Sequence, residues 1–341
     1  MNQTELTPEA CMRRALQLAT SGSCRVSPNP MVGAVIVAEG RIIGEGYHRH
    51  YGGPHAEPNA IMSVSETDRH LLPHSTMYVT LEPCAHYGKT PPCARLIVET
   101  GIPHVVVATL DPFAEVAGRG VEIMRQAGVA VDIGLLGAES RWLNRRFITA
   151  HTLRRPYIQL KWAETSDGFI SAHDGSPIRI STPMSMIWMH RERAMADAIM
   201  AGTDTIIHDN PRLDCRLWPA RQPESRPLKV SFNSPRLPAG SHVAESHPVL
   251  KQSDESLDDF LFRLYDTYHV NSLMVEGGRK TLQTFIDAGL TDELRIEISP
   301  VCAHKGTPAP ALSDSFLRNF QLRKSEKCGE NLLLSFFNEF M

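Results

Sequence analysis

Four side chains in this 341-residue sequence carry its strongest chemical signal: His55 and Glu57 in "GPHAEPNAIM", and Cys84 and Cys93 in "PCAHYGKTPPC". A neutral imidazole with two thiolates is a borderline-soft donor set that suits Zn²⁺ and leaves a fourth tetrahedral position for water. Glu57 lies two residues from His55, close enough to meet that water without binding the metal. Water on zinc ionises near neutral pH. A carboxylate beside it can take the proton and pass it to a ring nitrogen and then to a departing amine, the division of labour needed for hydrolytic deamination of an amidine-like carbon. A lone HAE tripeptide or one wide cysteine pair would be uninformative. Three ligands plus an acid describe an open site better than a closed one, since a purely structural zinc site would supply four protein ligands. The non-enzymatic zinc scaffold stays as the alternative.

A second feature is "MVEGGRKTLQTF", in which Glu276 and two glycines stand between a strand and a helix. Backbone N–H groups there would suit a phosphate. A helix cap gives the same pattern. The dinucleotide fingerprint GxGxxG is absent after the first strand of this half.

Composition narrows the setting. The chain has 42% apolar and 21% charged residues and a formal charge of -3. That balance gives no broad basic field for a nucleic-acid backbone, though a local cluster of donors would serve a small anionic metabolite. No binding to nucleic acid or membrane is expected. Seven cysteines, odd in number and thinly spread, argue against a disulfide framework. No basic-then-apolar leader and no apolar run of about 18 residues is found, so a cytoplasmic protein is expected.

The elements that must position these residues are those of an α/β protein. "TPEACMRRALQLA" reads as a helix capped by Thr7 with Pro8 in its first turn, and "VGAVIVAEGRIIGEGY" as a hairpin turning at Glu39-Gly40. "TMYVTL", "HVVVATL" and "VAVDIGLL" read as strands, with "CARLIVETG" and "GRGVEIMRQAG" as helices between them. Such alternation implies a largely parallel sheet covered on both faces. Length suits two domains, and the basic, proline-containing stretch over 146–156 suggests domains at 1–150 and 155–341. In the second, "YIQLKWA", "DTIIHD", "LKVSF", "NSLMVEG" and "ELRIEIS" read as strands. "PMSMIWMHRERAMADAIMAG" and "KTLQTFIDAG" read as helices, and "NLLLSFFNEF" as an edge or closing strand. Residues 218–256 read mainly as loops over a surface or a site mouth.

At this level of detail a resemblance becomes specific. "HAE" with "PC…C" resembles the cytidine-deaminase-like superfamily. "EPCAHYGKTPPC", "SPNPMVGAVIV", "GEGYH" and "DPFAEVAGRG" resemble the deaminase half of the bifunctional riboflavin-biosynthesis deaminase/reductases. The resemblance implies an N-terminal αβα domain in which His55, Cys84 and Cys93 bind zinc and Glu57 shuttles protons. It also implies a substrate pocket containing Asn29, His48, His86, Lys89 and Asp111. Asn29 and Asp111 suit a pyrimidine edge or ribose, and Lys89 with a histidine suits a phosphate.

"PYIQLKWAETSDGFI", "ADAIMAGTDTIIHDNPRLDCR", "LKVSFNS" and "VEGGRKTL…AGLTDEL" resemble the reductase half of the same family, which has a dihydrofolate-reductase-like fold and uses NADPH. By that comparison Lys161, Thr205, Asp209 and Ser234 belong to the cofactor side, and Arg216 and Glu276 to the substrate side. The chain departs from the family pattern at Phe113, at Pro177-Ile178-Arg179, at "TSDG" and at Phe232-Asn233. Arg179 supplies a charge that would meet the extra phosphate of NADPH.

The implied reactions are hydrolytic loss of the 2-amino group from 2,5-diamino-6-ribosylamino-4(3H)-pyrimidinone 5′-phosphate, then NADPH-dependent reduction of the ribosyl group to ribityl. A deaminase joined to a weak or inactive reductase is the nearest alternative. Members of such families commonly assemble as homodimers or homotetramers.

Overall fold

A computed structural model describes residues 6–85, 92–112, 117–173, 176, 178–218, 227–232, 237–246, 248–252 and 254–338. The chain divides after Thr152 into two compact units.

In the first unit, helix α1 (Pro8–Thr20) begins where Thr7 Oγ1 accepts from the Ala10 amide. Strands β1 (Gly33–Ala38) and β2 (Arg41–Tyr47) form the expected hairpin. Glu39 and Gly40 both have positive φ, the signature of a tight two-residue turn. There follow α2 (Ala56–Ser63), β3 (Thr76–Val79), α3 (Cys93–Thr100), β4 (His104–Val107), α4 (Arg119–Gln126), β5 (Ala130–Ile133), α5 (Gly137–Leu143) and α6 (Arg145–Leu153). The sheet order is β2-β1-β3-β4-β5, with β3, β4 and β5 parallel and β1 antiparallel to both neighbours.

Alternation along the strands divides the core. Ala34, Ile36, Met77, Val79, Val105 and Val107 face one side, where Ala60, Ala94, Ile97 and Met124 of α2, α3 and α4 cover them. Val35, Tyr78 and Val106 face the other, against Cys11, Met12 and Ala15 of α1. Helices can approach closely where side chains are absent. A Cβ on Gly46 would lie 2.2 Å from the Ala60 amide nitrogen and 2.4 Å from the Ala56 carbonyl oxygen of α2.

The second unit contains β6 (Tyr157–Thr165), β7 (Phe169–Ala172), α7 (Pro183–Met195), β8 (Ala198–Gly202), α8 (Thr203–Asp209), β9 (Leu228–Phe232), β10 (Val249–Leu250), α9 (Leu257–Asp266), β11 (Ser272–Val275), α10 (Arg279–Asp287), β12 (Glu293–Ser299), β13 (Gly306–Pro308), α11 (Asp314–Leu317), β14 (Phe320–Cys328) and β15 (Asn331–Asn338). Its main sheet runs β10-β9-β8-β11-β6-β12-β15-β14, parallel through β12 and antiparallel beyond, while β7 and β13 pair separately. Ile158, Leu160, Met200, Leu273 and Val275 pack on Phe260, Leu264, Leu282 and Phe285 of α9 and α10.

Three expectations are corrected here. The apolar run Ala198–Gly202, read as the tail of the preceding helix, is β8, buried at every position between β9 and β11. A strand buried on both faces shows no alternation, so periodicity does not separate it from a buried helix. "DTIIHD", read as a strand, lies within α8, where the tertiary setting overrides the β preference of its paired isoleucines. The strand in "NLLLSFFNEF" is internal, because β14, which was not anticipated, pairs outside it. Helix α6 occupies most of the 146–156 stretch, and the division after Thr152 falls inside it. No helix among the described residues is long and apolar enough to cross a membrane.

Candidate metal centre and substrate cavity

In the first unit the common direction of the parallel strands brings loop residues to one sheet edge. Cys84 follows β3, Cys93 opens α3, and His55 is the extended residue that begins α2. His55 Nδ1 lies 3.6 Å from Cys84 Sγ and 3.4 Å from Cys93 Sγ. The three ligand atoms lie within 4.8 Å of one another. A tetrahedral ion with Zn–N of about 2.0 Å and Zn–S of about 2.3 Å spans N···S edges of about 3.5 Å, so the spacing fits zinc.

The Cys93 amide donates to Cys84 Sγ at 3.3 Å. The hydrogen bond from the Cys93 thiol, despite opposing burial, pulls the Cys84 thiol well below its ordinary value, and Cys93 is raised in return. A thiolate at a helix start beside an imidazole is the state a metal needs.

Glu57 sits in the first turn of α2 and is 3% exposed. Its Oε2 has no hydrogen-bond partner among the described residues. Burial, reinforced by the Cys84 charge, pushes its carboxyl up to about 7. A buried carboxylate oxygen left without a donor costs free energy unless something else meets it.

His48 supports this centre. Its Nδ1 donates to the Pro54 carbonyl at 3.0 Å, which leaves Nε2 to accept from Asn29 Nδ2 at 3.1 Å. Burial lowers the His48 pKa, in keeping with a neutral ring holding that tautomer. The His48 and His55 rings meet edge-on at 5.3 Å. Asn29 and His48 are therefore brought to the metal ligands. Asp111 lies at the exit of the neighbouring strand β4, its amide bonded to Glu82. His86, Lys89 and Phe113 lie outside the described residues.

Two contributors carried no sequence signal of their own. Asn59 Nδ2 donates to the carbonyls of Tyr47 and Pro54, tying α2 to the end of β2. Glu82, inside the "EPC" stretch, is buried and collects backbone amides from the 111–121 segment.

The second unit holds a cavity of about 740 Å³, within the size of small-molecule sites, whose wall includes Lys161, Arg179, Thr205, Asp209 and Glu276. Helix α10 begins at Gly278 without a side-chain cap, and the Gly278 amide donates to Thr205 Oγ1 at 2.9 Å. A Cβ on Gly202 or Gly277 would collide with the Thr281 side chain, which itself lines the cavity. A helix start without a side-chain cap beside this cavity suits the phosphates of a dinucleotide.

Glu276 is engaged by Arg193, with Nε and Nη2 each 2.6 Å from a carboxylate oxygen. Burial would raise the Glu276 pKa, but the Arg193 charge and hydrogen bonds outweigh it and hold the carboxyl below its ordinary value. Arg193 was not anticipated, since an arginine within a helix pattern usually marks a solvated face. Arg216 does not line the cavity, and its Nη1 pairs with Asp214 Oδ1 at 2.6 Å. Ser234, Pro177 and Asn233 lie outside the described residues.

Comparison with known proteins agrees with both halves. Residues 6–109 match the model of the cytidine and deoxycytidylate deaminase zinc-binding region, and residues 156–334 match the RibD C-terminal domain. The riboflavin biosynthesis protein RibD of Aquifex aeolicus is 36% identical, covering 95% of this chain and 97% of its own length. That of Escherichia coli is 33% identical, covering 86% and 87%. Among solved structures, a diaminohydroxyphosphoribosylaminopyrimidine deaminase/5-amino-6-(5-phosphoribosylamino)uracil reductase from Thermotoga maritima superposes with a TM-score of 0.87 at 36% identity, covering 97% of this chain and 98% of that one. Acinetobacter baumannii RibD gives a TM-score of 0.88 at 30% identity with the same coverage.

Proposed function

This chain belongs to the RibD family of bifunctional deaminase/reductases of riboflavin biosynthesis, and from that premise we propose which of its residues carry the two reactions. The protein is an enzyme with an N-terminal cytidine-deaminase-like domain and a C-terminal, dihydrofolate-reductase-like reductase domain.

The observation that carries the deaminase assignment is the His55, Cys84 and Cys93 cluster with the unpartnered Glu57 oxygen in the same helix turn as its imidazole. His55 Nδ1 and the two sulfurs hold zinc. Bound there, the ion supplies a Lewis acid that makes water nucleophilic at neutral pH. Glu57 takes a proton from the water that adds to C2 of the diaminopyrimidine ribotide and delivers it toward the 2-amino group. The C2–N bond then breaks and ammonia leaves. Asn29, His48 and Asp111 orient the pyrimidine and ribose, while His86 and Lys89 receive the phosphate.

In the second domain Lys161, Thr205 and Asp209 line the side that receives NADPH, with the uncapped start of α10 and Arg179 supporting its phosphates, and Ser234 is assigned a role with the same cofactor. When bound, NADPH supplies the hydride that opens the ribosyl ring at C1′. Glu276, steadied by Arg193, orients the sugar. Arg216 meets the ribotide phosphate by exchanging Asp214 for it. With no protein acid assigned, the cavity contributes chiefly by holding donor and acceptor carbons together.

A coupled assay tests this reading on the purified chain, following ammonia release from the diaminopyrimidine ribotide and NADPH oxidation. Both should proceed. Chelation should abolish ammonia release while leaving NADPH oxidation on the deaminated ribotide intact. Ammonia release with no NADPH oxidation would select a deaminase carrying an inactive reductase domain, and neither activity would leave a zinc scaffold.

A further inference from the structure

Glu82 is a buried carboxylate with no cationic side chain paired to it among the described residues. Four backbone amides converge on it instead. Oε2 accepts from Asp111 at 3.2 Å and Gly118 at 2.9 Å, and Oε1 accepts from Gly120 at 2.9 Å and Val121 at 3.2 Å. These donors come from both ends of the segment that joins β4 to α4. Gly118, the residue before α4, has φ of 82° and provides no side-chain cap, so a residue 38 positions from Gly120 satisfies the opening amides of the helix.

The carboxylate is anchored in turn to the metal ligands. The Glu82 amide donates to Thr109 O at 2.9 Å, joining the exits of β3 and β4, and Cys84 stands two residues further on. Helix α4 presses on the same joint: a Cβ on Gly120 would lie 2.0 Å from the Pro83 carbonyl oxygen. Four hydrogen bonds converging on one buried carboxylate tie Asp111 and the first residues of α4 to the exit of β3.

We propose that Glu82 is a positioning residue for the deamination, holding Asp111 in register with Cys84 at the shared sheet edge. It touches neither metal nor substrate and acts through Asp111. The inference rests on the reading of Asp111 as a substrate contact given above.

The test is Glu82→Gln in the full chain. The amide is nearly isosteric but presents an NH₂ group to donors that need an acceptor. Zinc content and NADPH oxidation on the deaminated ribotide should match wild type. The kcat/KM for ammonia release should fall roughly 10- to 100-fold, the scale of a small misplacement, mainly through KM. Amide exchange should quicken at Asp111, Gly118, Gly120 and Val121. In a cycle with Asp111→Ala, the double variant should be no worse than the poorer single one.

Ammonia release within about twofold of wild type in Glu82→Gln overturns this proposal alone. Losses that track missing zinc, or that add fully to those of Asp111→Ala, also overturn it, because Glu82 would then support the metal ligand or act independently. Normal ammonia release in Asp111→Ala removes the substrate assignment and this inference together. If Glu82→Gln does not fold, Glu82→Asp, which keeps the charge and withdraws it by one methylene, is judged by the same criteria.

Discussion

Arg193 grips Glu276 through two parallel hydrogen bonds of 2.6 Å, with each side chain only 9% exposed. The planar fork of a guanidinium matches a carboxylate in a way that a lysine ammonium does not. Arg193 Nη1 also donates to the Asp214 carbonyl at 3.0 Å, so one side chain ties the cavity wall to the segment that carries Arg216. Arg193→Lys should cost about 1.5–3 kcal/mol of reductase-domain stability and lower kcat/KM for NADPH oxidation. Ammonia release should not change. Chemical denaturation and the two separate assays read these effects.

The same pair sets an acid limit on stability. The folded Glu276 carboxyl is held below its ordinary value, so the unfolded chain binds its proton more readily. Its contribution is therefore fully present above the unfolded value of about 4.3 and is lost as pH falls through the folded one. The difference in Tm between wild type and Glu276→Gln should be constant near neutrality and should shift against wild type on acidification below about pH 5. Melting curves across pH 3 to 8 check it.

Removing the acid beside the metal separates metal binding from proton transfer. Glu57→Gln should retain zinc, because His55, Cys84 and Cys93 are intact, yet slow ammonia release by roughly 10² to 10⁴. NADPH oxidation on the deaminated ribotide should be unaffected. Near-normal ammonia release at full metal content would remove Glu57 from the mechanism.

A substitution away from the ligands should also reach the metal. Helix α2, which carries Glu57 and follows His55, lies so close to β2 that a Cβ on Gly46 would enter its backbone. Gly46→Ala must displace the helix, at a typical overpacking cost of about 1–3 kcal/mol. Less zinc per chain, measured by elemental analysis, should accompany the lower Tm. Gly40→Ala is the contrast: no atom lies within 4 Å of the added Cβ, and only its φ of 72° is strained, so zinc content should hold.

The features readable in the sequence were those set by near neighbours. Thr7 ahead of Pro8 announces a helix start, Glu39-Gly40 between apolar alternations announces a hairpin, and both form as expected. The spacing of His55, Glu57, Cys84 and Cys93 likewise limits the chemistry before any fold is known. The reversed assignments at β8 and α8 have the opposite cause: five buried residues in succession carry no period of their own and are set by pairing with strands β9 and β11, while Ile206 of α8 packs into a cluster with Ile199, Ala201, Leu213 and Met274.

Sequence alone therefore determined the donor set, the adjacent acid and the alternating scaffold, because residue type and local spacing dictate these. Tertiary structure decided which acids are held and by what. Glu82 finds its four amides 29 to 39 residues away and Glu276 its guanidinium 83 residues away, pairings that no local pattern encodes and that only chain closure creates.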